Sequence, residues 1–298
     1  MKARDLADLL LLAALWGASF MFMRAAAPAF GPIALVEVRV VIAAICLLLL
    51  LAVRGQLHTL APARGRLLAL GVLNSALPFA LLTYATLAMT AGMAAILNAV
   101  TPMWTALIGW AWLKQPARPL QWLGLGLGLA GVAVLVWGRS GLSVTGAPLP
   151  LAPAIVAALV ATASYGVAAN FARSRLADLP SMTTAAGSQV GAALTLLLPA
   201  IVAWPAVTPP AGAWLAAVVL GVACTALAYL LYFRLIVRVG AMRAASVTFL
   251  IPLFATFWGA LFLGEALTLQ MLAGGAVILA GTALALGVPL RRPRAAAP

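Results

Sequence analysis

Runs of about twenty apolar residues follow one another along almost the whole chain, and that rhythm restricts the fold to one solvent, a lipid bilayer. A hydrocarbon layer of about 30 Å needs roughly 20 such residues per helix, and inside it only helices or closed barrels satisfy their own backbone groups. Cutting the sequence at Pro, Gly and charge clusters gives ten spans: 6–27, 32–53, 66–87, 91–113, 119–138, 150–171, 181–204, 211–234, 241–263 and 268–288. Composition agrees, because 65% of the 298 residues are hydrophobic and only 8% are charged, too few to clothe a water-soluble globule. The first span has some features of a secretory signal, with Lys2 and Arg4 ahead of a run that ends in Ala25, Ala26 and Ala27. Asp5, Asp8, the length of the run and a matching segment later in the chain favour a retained helix.

A formal net charge of +13 raises the question of nucleic acid, but the cations stand singly between apolar stretches and no basic run is interleaved with aromatics. Membrane topology accounts for them instead. With the N-terminus inside, 15 of the 18 Lys and Arg residues fall on one side, and only Arg24, Arg39 and Arg139 fall toward the other. Adding or dropping a helix would scramble this separation. The expectation is a multi-pass protein of a bacterial inner membrane with both termini cytoplasmic. Cys46 and Cys224 lie in apolar stretches and read as small hydrophobes, and His58 stands alone in a polar connection. Neither a metal nor a cofactor is expected.

The second half of the chain repeats the first. A shift of about 150 residues superposes Pro102 on Pro252, Gly109 on Gly259, Leu113 on Leu263, Gly124 on Gly274 and Gly131 on Gly281. Trp16-Gly17 meets Tyr165-Gly166, and Arg24 meets Arg173, at nearly the same shift. Residues 1–140 and 141–298 therefore read as two five-helix repeats. An odd number of helices per repeat forces the second copy to enter from the opposite face. Inverted repeats of this kind are a recurring transporter plan, with the solute held between the halves near the midplane.

Leu15-Trp16-Gly17-Ala18-Ser19-Phe20, Arg39, Asn98 to Trp104, Leu250-Ile251-Pro252-Leu253 and Leu263-Gly264-Glu265 resemble the drug/metabolite transporter superfamily and its EamA-type members. The resemblance covers the whole chain. It implies an all-α integral membrane fold of ten helices and the export of small metabolites, most like the amino-acid exporters, with aromatic amino acids a natural cargo. The first half departs from the pattern, reading Leu113-Lys114-Gln115 where the second has Leu263-Gly264-Glu265. A role for Glu265 is then not a symmetric one, and capping a loop is the simpler reading.

Ionisable groups inside a span are costly, so Glu37 and Arg39, both in the second span, are the first candidates for function. Two residues apart, they point to different faces of one helix. Snorkelling and pairing with neighbouring helix ends are favoured for both. With no protonatable group evident at mid-depth, facilitated movement is expected rather than tight ion coupling. The expected solute pocket is aromatic and rich in hydroxyl and amide groups: Trp16 and Ser19, Asn74 and Phe79, Asn98, Thr101 and Trp104, then Tyr165, Tyr229 and Thr248. Pro102 and Pro252, at matched depth, are the expected gating positions. Trp110, Trp112, Trp122, Trp137, Trp204 and Trp214 fall near span ends and read as an interfacial belt. Gly124, Gly126 and Gly128 lack a preceding strand, so they read as a helix-packing stripe facing a neighbour or a second protomer.

The expected partners are a small-molecule substrate and the bilayer, with the chain a monomer or homodimer. A lipophilic-cation exporter is the second reading, and it calls for a buried carboxylate facing an aromatic box. An intramembrane enzyme is a third, without a Ser/His, Asp/Asp or His/Glu constellation to support it.

Overall fold

Glycine and proline set the first boundary as the sequence suggests. In the computed structural model, which describes residues 2–114, 119–137 and 147–285, α1 (Ala3–Phe30) ends at Gly31 and Pro32 opens α2 (Pro32–Val53). Gly31 has a φ of 73°, a conformation that a residue without Cβ adopts freely, and the fixed φ of proline suits a first helical position. The chain continues through α3 (Leu57–Ala85), α4 (Ala91–Leu113), α5 (Pro119–Trp137), α6 (Leu151–Arg175), α7 (Ser181–Val202), α8 (Ala211–Val239), α9 (Arg243–Leu263) and α10 (Leu269–Ala285). Eight of these are long and apolar enough to cross a membrane, and α5 and α10 contribute shorter apolar stretches, Pro119–Leu135 and Leu269–Ala285. Among the described residues there is no extended strand.

Four helices are not the uniform rods that periodicity alone predicts. α3 and α8 each contain a widened π turn, Val72–Ala76 and Val222–Leu227. Such turns add a residue to the helix and re-aim the side chains around it. α4 is two pieces, Ala91–Asn98 and Thr101–Leu113, because Pro102 lacks an N–H and its ring collides with the carbonyl four residues earlier. That carbonyl, on Asn98, accepts the Thr101 hydroxyl at 2.8 Å instead. A short helical turn, Ala241–Ala245, overlaps the start of α9 and is set off at Ser246 from Val247–Leu263.

Helices from the two halves of the chain interleave. α1 packs against α8 and α9, α6 against α3 and α4, α2 against α7, and α5 against α10. Bilayer lipid offers no hydrophobic drive for these contacts, so they rest on close van der Waals fit and small residues. α5 and α10 show this directly: a Cβ built on Gly124 would lie 2.6 Å from the backbone of Ala285 and Gly281. Gly124 and Gly128 of the stripe read from the sequence thus each face a helix of the same chain, whereas Gly126 points into open space. Trp110, Trp112, Trp122, Trp204 and Trp214 are exposed on the bundle's outside, with Trp110 and Trp122 edge to face at 4.9 Å. The Trp137 side chain lies outside the described residues.

The two faces of the bundle differ. At one, the first piece of α4 is buried and clasped by α1, α6 and α9. The Glu265 carboxylate, from the α9–α10 connection, accepts the Ala91 N–H at 2.9 Å with both oxygens, and Arg24 Nε lies 3.8 Å from it. Burial raises the Glu265 pKa above the ordinary carboxylate range, against the Ala91 and Gly92 N–H groups and Arg24, which lower it. At the other face the segment some 150 residues further along, the short turn Ala241–Ala245, packs chiefly on α8 and the rest of α9. Ion pairs there join Asp8 of α1 to Arg234 and Arg238 of α8, and Asp178 to Arg66.

Candidate substrate cavity

A cavity of about 280 Å³ lies where α1, α2, α3, α4, α6, α8 and α9 converge. It sits at the small end of the roughly 300–1,000 Å³ typical of small-molecule sites. Twelve of its nineteen lining residues fall in pairs drawn from the two halves of the chain: Trp16 with Tyr165, Asn74 with Cys224, Phe79 with Tyr229, Leu82 with Tyr232, Asn98 with Thr248, and Thr101 with Ile251. The members of each pair are about 150 residues apart in the sequence. Aromatic rings make the walls, with Trp16 at 5.2 Å from Tyr232 and Phe79 at 6.4 Å from Tyr165, centroid to centroid.

The two π turns deliver polar groups to this space. Asn74, in the first, donates to the Tyr229 hydroxyl at 2.9 Å, and Thr225 and Cys224 enter from the second. The hydroxyls of Ser19, Thr101 and Thr248 bond to carbonyls of their own helices, so they line the cavity with their donors already engaged. Asn98 differs: its side-chain oxygen is buried without a hydrogen-bond partner.

Arg39 overturns its sequence-based reading. Instead of snorkelling, it is 4% exposed, about a third of the way along α2, and it lines the cavity. Its Nε donates to Thr225 Oγ1 at 2.9 Å, its Nη1 reaches Met23 Sδ at 3.6 Å, and its guanidinium carbon lies 3.7 Å from the Phe79 ring centroid. No carboxylate pairs with it among the described residues. Glu37 is also corrected: it is buried and makes no ion pair there, and one of its oxygens has no hydrogen-bond partner. The signal that would have found Arg39 was present in the repeat. The same shift that pairs the prolines sets Arg39 against Gln189 and Thr225 against Ser75, four buried polar groups in otherwise apolar spans.

Of the residues expected at a solute site, Trp16, Ser19, Asn74, Phe79, Asn98, Thr101, Tyr165, Tyr229 and Thr248 share the cavity wall, and so does Pro102. Trp104 and Pro252 stand apart from it. Trp104 packs on α6, where a Cβ on Gly166 would lie 2.8 Å from its own, because the break at Pro102 turns it toward that helix. Pro252 is buried within α9, and its carbonyl accepts the Thr256 hydroxyl at 2.7 Å. Neither Phe20, Leu82 nor Ile251, all of which line the cavity, carries a polar atom that would have marked it in advance.

Apolar helices arranged around a solute-sized, partly polar cavity define a polytopic membrane transporter. The sequence profile of the EamA-like transporter family matches residues 7–137 and again 152–287, and the chain belongs to that family. YedA of Escherichia coli K12, an uncharacterized inner membrane transporter, is 27% identical over 92% of this chain and 88% of its own length. YvbV of Bacillus subtilis 168, an uncharacterized transporter, is 26% identical over 95% of this chain and 92% of its own. A solved crystal structure superposes with a TM-score of 0.65 at 20% identity, covering 96% of this chain and 97% of that one, a likeness of fold.

Proposed function

We propose that the protein exports neutral amino acids, aromatic ones among them, or closely related metabolites across a bacterial inner membrane. It does so by alternating access of two inverted five-helix halves, 1–140 and 141–298, in ten passes. The observation that carries this reading is the cavity itself, lined from both halves and largely by residues paired at a sequence shift of about 150. The doubled family match and the inner-membrane relative support it. With the termini cytoplasmic, the clasped face is external and the looser face internal, so the chain is held ready to load from the cytoplasm. One chain encloses the whole cavity, so a monomer suffices.

Movement is facilitated rather than tightly ion-coupled, since no carboxylate lines the cavity among the described residues. The same fact weighs against a lipophilic-cation exporter, because the charge facing the cavity is positive. Counterflow in proteoliposomes against amino acids and organic cations tests the proposal: amino acids exchange and cations do not. Movement of cations alone would refute the cargo, and transport abolished by collapsing a proton gradient alone would refute facilitation.

A further inference from the structure

The chain has five carboxylate side chains, all on described residues. Asp5 and Asp8 meet arginines at one face, Asp178 meets Arg66, Glu265 caps Ala91 beside Arg24, and Glu37 makes no ion pair among the described residues. Arg39 is therefore a buried, fully charged group whose counter-ion is not supplied by any described part of the protein. A charge in that position is retained at a cost unless something anionic visits it.

The scaffold does not need the charge. Residues 39 and 189 occupy equivalent places in the repeat, and each holds a hydroxyl of the opposite π turn: Arg39 bonds Thr225 at 2.9 Å and Gln189 bonds Ser75 at 2.8 Å. An uncharged amide thus does the structural work at one of the two places. What Arg39 adds is a planar fork of donors, of which one goes to Thr225 and one to the soft sulfur of Met23. That fork matches a carboxylate in shape and charge better than any neutral side chain does. Phe79 packs on the guanidinium, with its ring centroid 3.7 Å from the guanidinium carbon, and Arg39 lines the cavity beside it. Asn98, in the same cavity, offers an unpartnered acceptor oxygen suited to an ammonium or amide donor.

We propose that Arg39 is the docking group for the carboxylate of the transported solute. The cavity therefore accepts small monocarboxylates and zwitterions with an apolar or aromatic body, and it rejects amines that lack the carboxylate. This rests on the transporter reading only in taking the cavity for the solute site.

Equilibrium binding to the purified full chain tests it with three probes of one shape: phenylalanine, 3-phenylpropionate and phenethylamine. Wild type binds the first two and not the third. Arg39→Gln, which copies the Gln189 arrangement, melts close to wild type and binds both carboxylates about tenfold to a hundredfold more weakly, as expected for losing a charge-assisted pair. Arg39→Lys, keeping the charge without the fork, loses less. Carboxylate binding unchanged in Arg39→Gln, no carboxylate binding by wild type, or phenethylamine bound as tightly as phenylalanine would each overturn the proposal. If Arg39→Gln fails to fold, Arg39→Lys tests the residue and the wild-type comparison can still overturn the carboxylate requirement. Binding without counterflow would leave the carboxylate assignment standing and remove the transport reading, whereas counterflow of phenethylamine alone would do the reverse.

Discussion

Glu265→Ala should open the clasped face. The carboxylate it removes supplies both oxygens to the Ala91 N–H at 2.9 Å, at the N-terminus of the first piece of α4, and is 3.8 Å from Arg24 Nε. Losing a side-chain acceptor at a helix start costs about 0.5–2 kcal/mol. Arg24, with a side chain 18% exposed, is left without its carboxylate, which adds to the cost of the closed state. In the open state the same groups reach water, so most of the loss falls on closure. A net bias of about 1–2 kcal/mol is a roughly fivefold to thirtyfold rise in the population open at that face. The assay is the labelling rate of Leu82→Cys, a cavity position, by a membrane-impermeant thiol reagent from outside, in a chain with Cys46 and Cys224 replaced by Ala. The rate should rise by that factor in Glu265→Ala. Glu265→Gln, which keeps an acceptor oxygen for Ala91 but not the charge facing Arg24, should label between the parent and Glu265→Ala. Equal rates in parent and Glu265→Ala, or an equal rise from both sides of the membrane, would refute the clasp.

Closure should also depend on pH. Burial raises the Glu265 pKa in the closed state and opening returns it to its ordinary value, so the closed state binds the proton more tightly. Lowering the pH through that raised value therefore favours closure, and external labelling of Leu82→Cys should fall with Glu265 present and stay flat in Glu265→Ala. A separate test concerns the α5–α10 contact. A Cβ on Gly281 would meet Gly124 O at 2.6 Å, so Gly281→Ala should cost about 1–3 kcal/mol and lower the melting temperature by several degrees. Gly126→Ala, where a Cβ meets nothing within 4 Å, should not lower it.

Residence in a membrane follows from the sequence alone, because twenty apolar residues at a time leave the backbone no other way to satisfy itself. Helix boundaries follow nearly as well: the span read as 32–53 is Pro32–Val53, and that read as 91–113 is Ala91–Leu113 with a break at Pro102. Trp16, Asn74 and Tyr165 were legible as candidates because an aromatic or amide in mid-span needs a reason to be there. Trp104 met the same criterion and packs on α6, since one turn's rotation after Pro102 decides which neighbour a ring meets. The place of Arg39 was decided only by the tertiary structure. A one-dimensional hydropathy count treats an arginine some ten ångströms into a helix as a cation seeking the nearest surface. Whether it snorkels or turns inward depends on a hydroxyl nearly two hundred residues away, on Thr225, which reaches it because α8 widens by one π turn. The sequence contains both residues, but the distance between them is set by how α2 and α8 pack.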